Sequence, residues 1–127
     1  MKNGKLIVYW VATALLSVGM LGSGLAQIVH AQPMIDLVTP LGYPVYFLSI
    51  IGTWKVLGVI AILMPRFKLL KEWAYAGFFF LMTGAFISHL AMGDYAVKAL
   101  LGPLMQTVFI ILSWYFRPES RKIVSVN

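Results

Sequence analysis

Lys55 is the residue of this chain with the strongest claim to chemistry. It stands about midway along an apolar run from Pro44 to Met64, a depth at which a bare ammonium in a bilayer costs at least ~2.5–3.5 kcal/mol. Ionisable groups inside membrane segments point to function by default. Gly52 and Gly58 lie three residues to either side, about 60° away around a helix, and leave room beside the amine for another helix, water or a ligand. Trp54 adjoins Lys55 but points about 100° away; it is the tryptophan set apart from the ends of the apolar runs. Gln27, His89 and Gln106 are further polar groups within apolar runs. Side chains lean toward the N-terminus of their helix, so on alternating helices these groups converge. The expectation is a polar pocket in one half of a bundle, with Lys55 as floor. Gln27, His89 and Gln106 form its walls, and Asp36 and Asp94 guard its mouth. An ammonium there donates to an anion, a glutamine or a neutral histidine. The competing reading is that the same groups satisfy one another and only orient the bundle.

The elements that must position these residues follow from composition. Hydrophobic residues make up 61% of the 127 and charged residues 11%, against about 25% charged in soluble domains. Too little polar surface exists to cover a soluble fold, so the apolar surface must face lipid. Apolar runs extend over about residues 6–29, 44–64, 73–92 and 99–116, each close to the ~20 residues that cross a bilayer as a helix. The fold class read from this is all-α, a polytopic membrane four-helix bundle with antiparallel neighbours, forming one domain over residues 1–127. Val29-His30-Ala31 resembles a signal-peptidase site. The preceding apolar stretch exceeds the 7–15 residues of a signal core, so the first run reads as a retained span.

The formal charge of +6 is distributed asymmetrically. Lys2, Lys5, Arg66, Lys68, Lys71, Arg117, Arg121 and Lys122 fall on one side, Lys98 on the other, and Lys55 within a span. That pattern is the positive-inside rule and not a nucleic-acid footprint. It places both termini and an Arg66–Glu72 loop in the cytoplasm. Trp10, Trp73, Trp114, Tyr9, Tyr75 and Tyr115 would line the inner interface, and Tyr43, Tyr46 and Tyr95 the outer one. Met34, Ile35, Leu37, Val38 and Leu41 predict a short helix on the outer surface. Ala14, Gly22 and Ala26, and the seven-residue repeat Gly77, Gly84 and Ala91, are read as close helix-packing faces.

Catalytic signatures are missing. The chain has no cysteine, which excludes disulfides, thiolate metal sites and iron–sulfur ligation. It has no phosphate-binding glycine loop, paired-carboxylate site or serine triad. No catalytic residue, metal site or resident cofactor is expected.

The stretch Leu41-Gly42-Tyr43-Pro44 through Gly52-Thr53-Trp54-Lys55-Val56-Leu57-Gly58, then Leu70-Lys71-Glu72-Trp73 and Thr83-Gly84-Ala85, ending at Ser88-His89-Leu90-Ala91-Met92-Gly93-Asp94, resembles the DoxX-like family of small bacterial membrane proteins. The resemblance implies a four-helix membrane bundle. It also implies links to membrane redox systems, because the family's name comes from a subunit of a thiosulfate:quinone oxidoreductase. A quinone, or a membrane or redox partner protein, is then admitted, with the hard chemistry belonging to the quinone or partner. Three function classes follow, in order: a non-catalytic subunit or scaffold with a polar pocket around Lys55; a redox subunit linked to a quinone or sulfur oxyanion; and a small anion or proton-coupled transporter. Homo-oligomerisation is compatible with each.

Overall fold

The computed structural model describes residues 2–121 and 123; Lys122 and the Lys2 side chain, counted in the charge asymmetry, lie outside the described residues. Five α-helices make up the chain: α1 (Lys2–Ile28), α2 (Gln32–Val38), α3 (Tyr46–Leu63), α4 (Lys68–Ala91) and α5 (Val97–Tyr115). There is no strand among the described residues. Four of the helices, all but α2, are long and apolar enough to cross a membrane; the shortest has 18 residues, about 27 Å of rise. Large apolar side chains such as Ile7, Val18, Leu57, Phe80, Ile87 and Val97 remain exposed around the outside, as a bundle solvated by lipid requires.

The four long helices close into a ring. α1 packs against α3 and α5, and α4 packs against the same two. α1 is thus an integral wall. One end of the ring holds the N-terminus of α1 and the C-terminus of α5; it is called the terminal end. The other carries α2, and is called the α2 end.

The terminal half is packed and tied. Leu16, Met20, Val59, Ile62, Tyr75, Phe78, Met82 and Ile110 form its apolar core. Beside them Thr13 shares a 2.6 Å hydrogen bond with Ser113, and Ser113 a 2.8 Å bond with Tyr75. The last carbonyls of α3 lack intrahelical donors, as at every helix C-terminus. The Lys71 amine takes the carbonyls of Ala61, at 2.7 Å, and Met64. Arg121 donates to Ile62 at 2.9 Å and lies over the Trp10 ring. Glu72 accepts from Trp114 and Arg117 of the α5 end, each at 3.0 Å.

Three expectations are corrected here. The third span begins at Lys68 and not Trp73, so most of the Arg66–Glu72 loop is helix. Arg66 and Phe67 make the turn at φ of 70° and 52°. The helix extends because Lys71 must face the α3 carbonyls that it caps. Tyr9 and Tyr75 are 0% and 4% exposed; they belong to the interior and not to an interfacial belt. The packing glycines are also different ones. A Cβ at Gly22, Gly77 or Gly84 would meet nothing within 4 Å, and Ala14 is exposed. The close approach occurs between α1 and α3, where a Cβ on Gly52 would stand 2.6 Å from the Gly24 carbonyl oxygen. A second lies between α3 and α4, where a Cβ on Gly58 would stand 2.6 Å from the Phe78 ring.

The expected short surface helix is α2, continued by a 3-10 turn over Thr39–Leu41. Gly42 ends the turn at φ 93°, a left-handed conformation that glycine adopts at no steric cost. Val38 is buried against Leu48 and Ile51 of α3, which fixes α2 as a roof over this half of the ring.

Candidate functional site

Beneath that roof lies a cavity of about 390 Å³, lined by all five helices. This is within the ~300–1,000 Å³ range of small-molecule sites. Polar groups of α1, α3, α4 and α5 stand on its walls, Ser23, Gln27, Lys55, His89 and Gln106 among them. Its other walls are mainly apolar, with Met34, Val38, Phe47, Ile51, Phe80 and Met82 among them.

Lys55 is 5% exposed. The crossing at Gly24 and Gly52 brings α1 so near that a Cβ on Gly24 would touch the Lys55 Cβ at 3.0 Å. The nearest hydroxyl is then Ser23, and the Lys55 amine donates to its Oγ at 3.1 Å. An ammonium has three N–H donors; this is the one hydrogen bond Lys55 makes among the described residues. The anticipated partners were His89, Gln106 and Gln27. All three line the same cavity, but none bonds the amine. Ser23 lies about 6 Å along α1 from Gln27 toward the terminal end, so the amine sits deeper than the outward lean predicts.

Gln27 is 5% exposed, and the side-chain carbonyl oxygens of Gln27 and Gln106 are buried without a hydrogen-bond partner among the described residues. The Gln106 amide is seated on Gly19, at the position a Cβ would take. His89 is 3% exposed and its Nδ1 pairs with Asp94 Oδ2 at 2.8 Å. That pairing leaves Nε2 as the ring nitrogen not engaged by Asp94. Tyr43 is bound to Ser88 at 2.7 Å, and Ser88 donates to the Gly84 carbonyl at 2.8 Å. Ser88 has one proton to give, so Tyr43 is the donor in that pair. This bond fastens the α2–α3 connection to α4.

Other expected site residues fall elsewhere. Trp54 is 62% exposed and lines an outer groove with Leu57 and Trp73, because consecutive residues diverge by 100°. Asp36 does not guard the mouth. α2 turns its apolar residues Met34, Leu37 and Val38 to the cavity, which leaves Asp36 on the outer face, accepting from Gln32 at 2.8 Å. Asp94 is likewise absent from the cavity wall. Gly93 ends α4 at φ 75° and turns the chain back, so the carboxylate meets the His89 ring.

Residues that sequence reasoning passed over are Ser23, Gly19 and Lys98, all on the cavity wall. Gly19, Ser23 and Gln27 recur every four residues, a spacing that shares one helix face; that was the available signal. Tyr9, Thr13 and Ser17 form a second series of four-residue spacing in another register, and all three are buried.

The model of the DoxX-like family matches residues 11–116, which take in every helix but the first turns of α1. No curated protein and no solved structure matches the chain. A multi-pass membrane bundle of this architecture, matched over most of its length, belongs to the DoxX-like family.

Proposed function

We propose that this integral membrane protein is a non-catalytic subunit or scaffold of a membrane system, and that its cavity around Lys55 holds a small amphipathic ligand. The observation that carries this reading is the cavity itself. A bundle that needed only to pack would close over its polar groups, as the terminal half does. Here about 390 Å³ stays open beside a buried ammonium and two buried, unpartnered amide oxygens. Ligand sites of this kind combine apolar walls with a few convergent polar groups.

The test is native mass spectrometry of the protein released gently from its own membrane, beside Ala85→Phe. Ala85 lines the cavity, and a phenylalanine there takes up part of its volume while Lys55 itself is left unchanged. A small-molecule adduct on the native chain that disappears in the variant supports the reading. An adduct of equal abundance on both, or on neither, contradicts it.

A quinone headgroup is the second reading. It is favoured by the presence of a lysine donor and a carboxylate-backed histidine on one cavity, groups suited to hydrogen-bond a ring carbonyl or hydroxyl.

The proposed orientation puts the terminal end in the cytoplasm of a bacterial inner membrane. Lys5, Arg66, Lys68, Arg117 and Arg121 belong to that end, and Lys98 to the other; basic residues favour the cytoplasmic side. An impermeant thiol reagent added to intact cells should label Asp36→Cys and spare Lys68→Cys. The reverse pattern overturns the orientation.

A further inference from the structure

The charge inventory of the cavity narrows the ligand, given the reading that the cavity is a ligand site. The chain contains four acidic residues. Asp94 is committed to His89, Glu72 to Arg117, and Asp36 sits outside the cavity on α2. Glu119 lies in the 3-10 turn at the terminal end. Among the described residues, no aspartate or glutamate lines the cavity, whereas two lysines do: Lys55 in its depth and Lys98 on the first turn of α5. His89 faces Asp94 through Nδ1, and the Asp94 carboxylate lies behind the ring and off the cavity wall. Lys55 is therefore a buried cation whose one partner is a neutral hydroxyl. Buried charges in proteins are ordinarily paired, and among the described residues no acidic side chain lines the cavity to pair with this one.

We propose that the counter-charge is the head of a single-chain amphiphilic monoanion, of the long-chain carboxylate class. The carboxylate accepts from the two N–H groups of Lys55 that Ser23 leaves free, and its chain lies along Phe47, Ile51 and the underside of α2. One deep cation matches one negative charge. An inorganic oxyanion would gain nothing from the apolar walls, and a neutral head would leave the charge unbalanced. Lipid chains are as apolar as the cavity wall, so the tail discriminates little between bilayer and cavity, and selectivity rests on the head.

Photolabelling with decanoate carrying a terminal diazirine, on the full chain in phosphatidylcholine nanodiscs, tests this. The expected result is adducts on cavity-wall residues such as Phe47 or Leu37, displaced by plain decanoate and not by decanol or sulfate. Lys55→Met should lower labelling at least tenfold, the scale of a lost charge-assisted hydrogen bond. Lys55→Arg, which keeps the charge, should restore most of it. Wall adducts that decanol displaces equally well, or that survive Lys55→Met, leave the cavity as a ligand site and overturn the anionic class; displacement by sulfate does the same in favour of a small anion. Complete absence of adducts on the wall, with the variants folded, overturns the anionic amphiphile and leaves the ligand-site reading to stand or fall on the native mass spectrum.

Discussion

Two lysines are buried in this bundle, and they are buried in opposite ways. Lys71 is 1% exposed, and its amine is spent on the carbonyls of Ala61 and Met64. A helix C-terminus carries the negative end of the helix dipole and unpaired carbonyls, so it is a complete seat for an ammonium. Lys55 is 5% exposed and meets one serine hydroxyl beside an open cavity. The first lysine completes the fold. The second is a cost carried by it. The same contrast holds for the two halves around them: one is filled by an apolar core and cross-linked by hydroxyls, the other is roofed but hollow.

That contrast predicts unequal responses to substitution, and the largest belongs to the terminal half. Lys71→Met should lower unfolding stability in detergent by about 2–3 kcal/mol, because charge-assisted bonds to buried carbonyls are lost. A stability within error of the native chain would dissolve the distinction between the lysines. Next comes the α1–α3 crossing. Gly52→Ala drives a methyl against the Gly24 carbonyl, and overpacking of this kind costs about 1–3 kcal/mol; a thermal unfolding series in one detergent would read it. Ser113→Ala leaves the hydroxyls of Thr13 and Tyr75 without their shared partner, an expected loss of about 1–2 kcal/mol on the same scale. The smallest effect is assigned to Gly84→Leu. A Cβ there meets nothing within 4 Å and the residue borders the open cavity, so stability should stay within about 0.5 kcal/mol of the native chain. A large loss would restore the glycine repeat as a packing face.

How far the sequence carried these conclusions depends on the kind of information. The four spans and the α2 roof were legible because length and hydropathy determine membrane helices almost locally. The cavity-lining role of Lys55, Gln27, His89 and Gln106 was legible because polar groups in apolar runs are few and must turn inward. Partner identity was not. Whether Lys55 meets Ser23 or Gln27 depends on how closely α1 and α3 cross, which Gly24 and Gly52 decide together from different helices. Lys71 was misplaced because a basic residue just outside an apolar run reads as loop, and only the position of the α3 C-terminus shows what it caps. Asp94 was read as a mouth residue; Gly93 marks a turn after the helix, but nothing in residue type shows that the turn folds the carboxylate onto His89. Gly77 and Gly84 misled because a seven-residue repeat marks a helix face without saying which face touches another helix.

The measurement that bears most directly on this account is the unfolding stability of Lys55→Met in ligand-free detergent, beside the native chain. Methionine keeps the apolar stem and removes the charge. If Lys55 is a ligand seat with no acidic partner on the cavity wall, the variant should be as stable as the native chain or more so, since replacing a buried charge by an apolar side chain removes its desolvation cost. A fall comparable to that of Lys71→Met would show that Lys55 is part of what holds the bundle together, and would contradict the account.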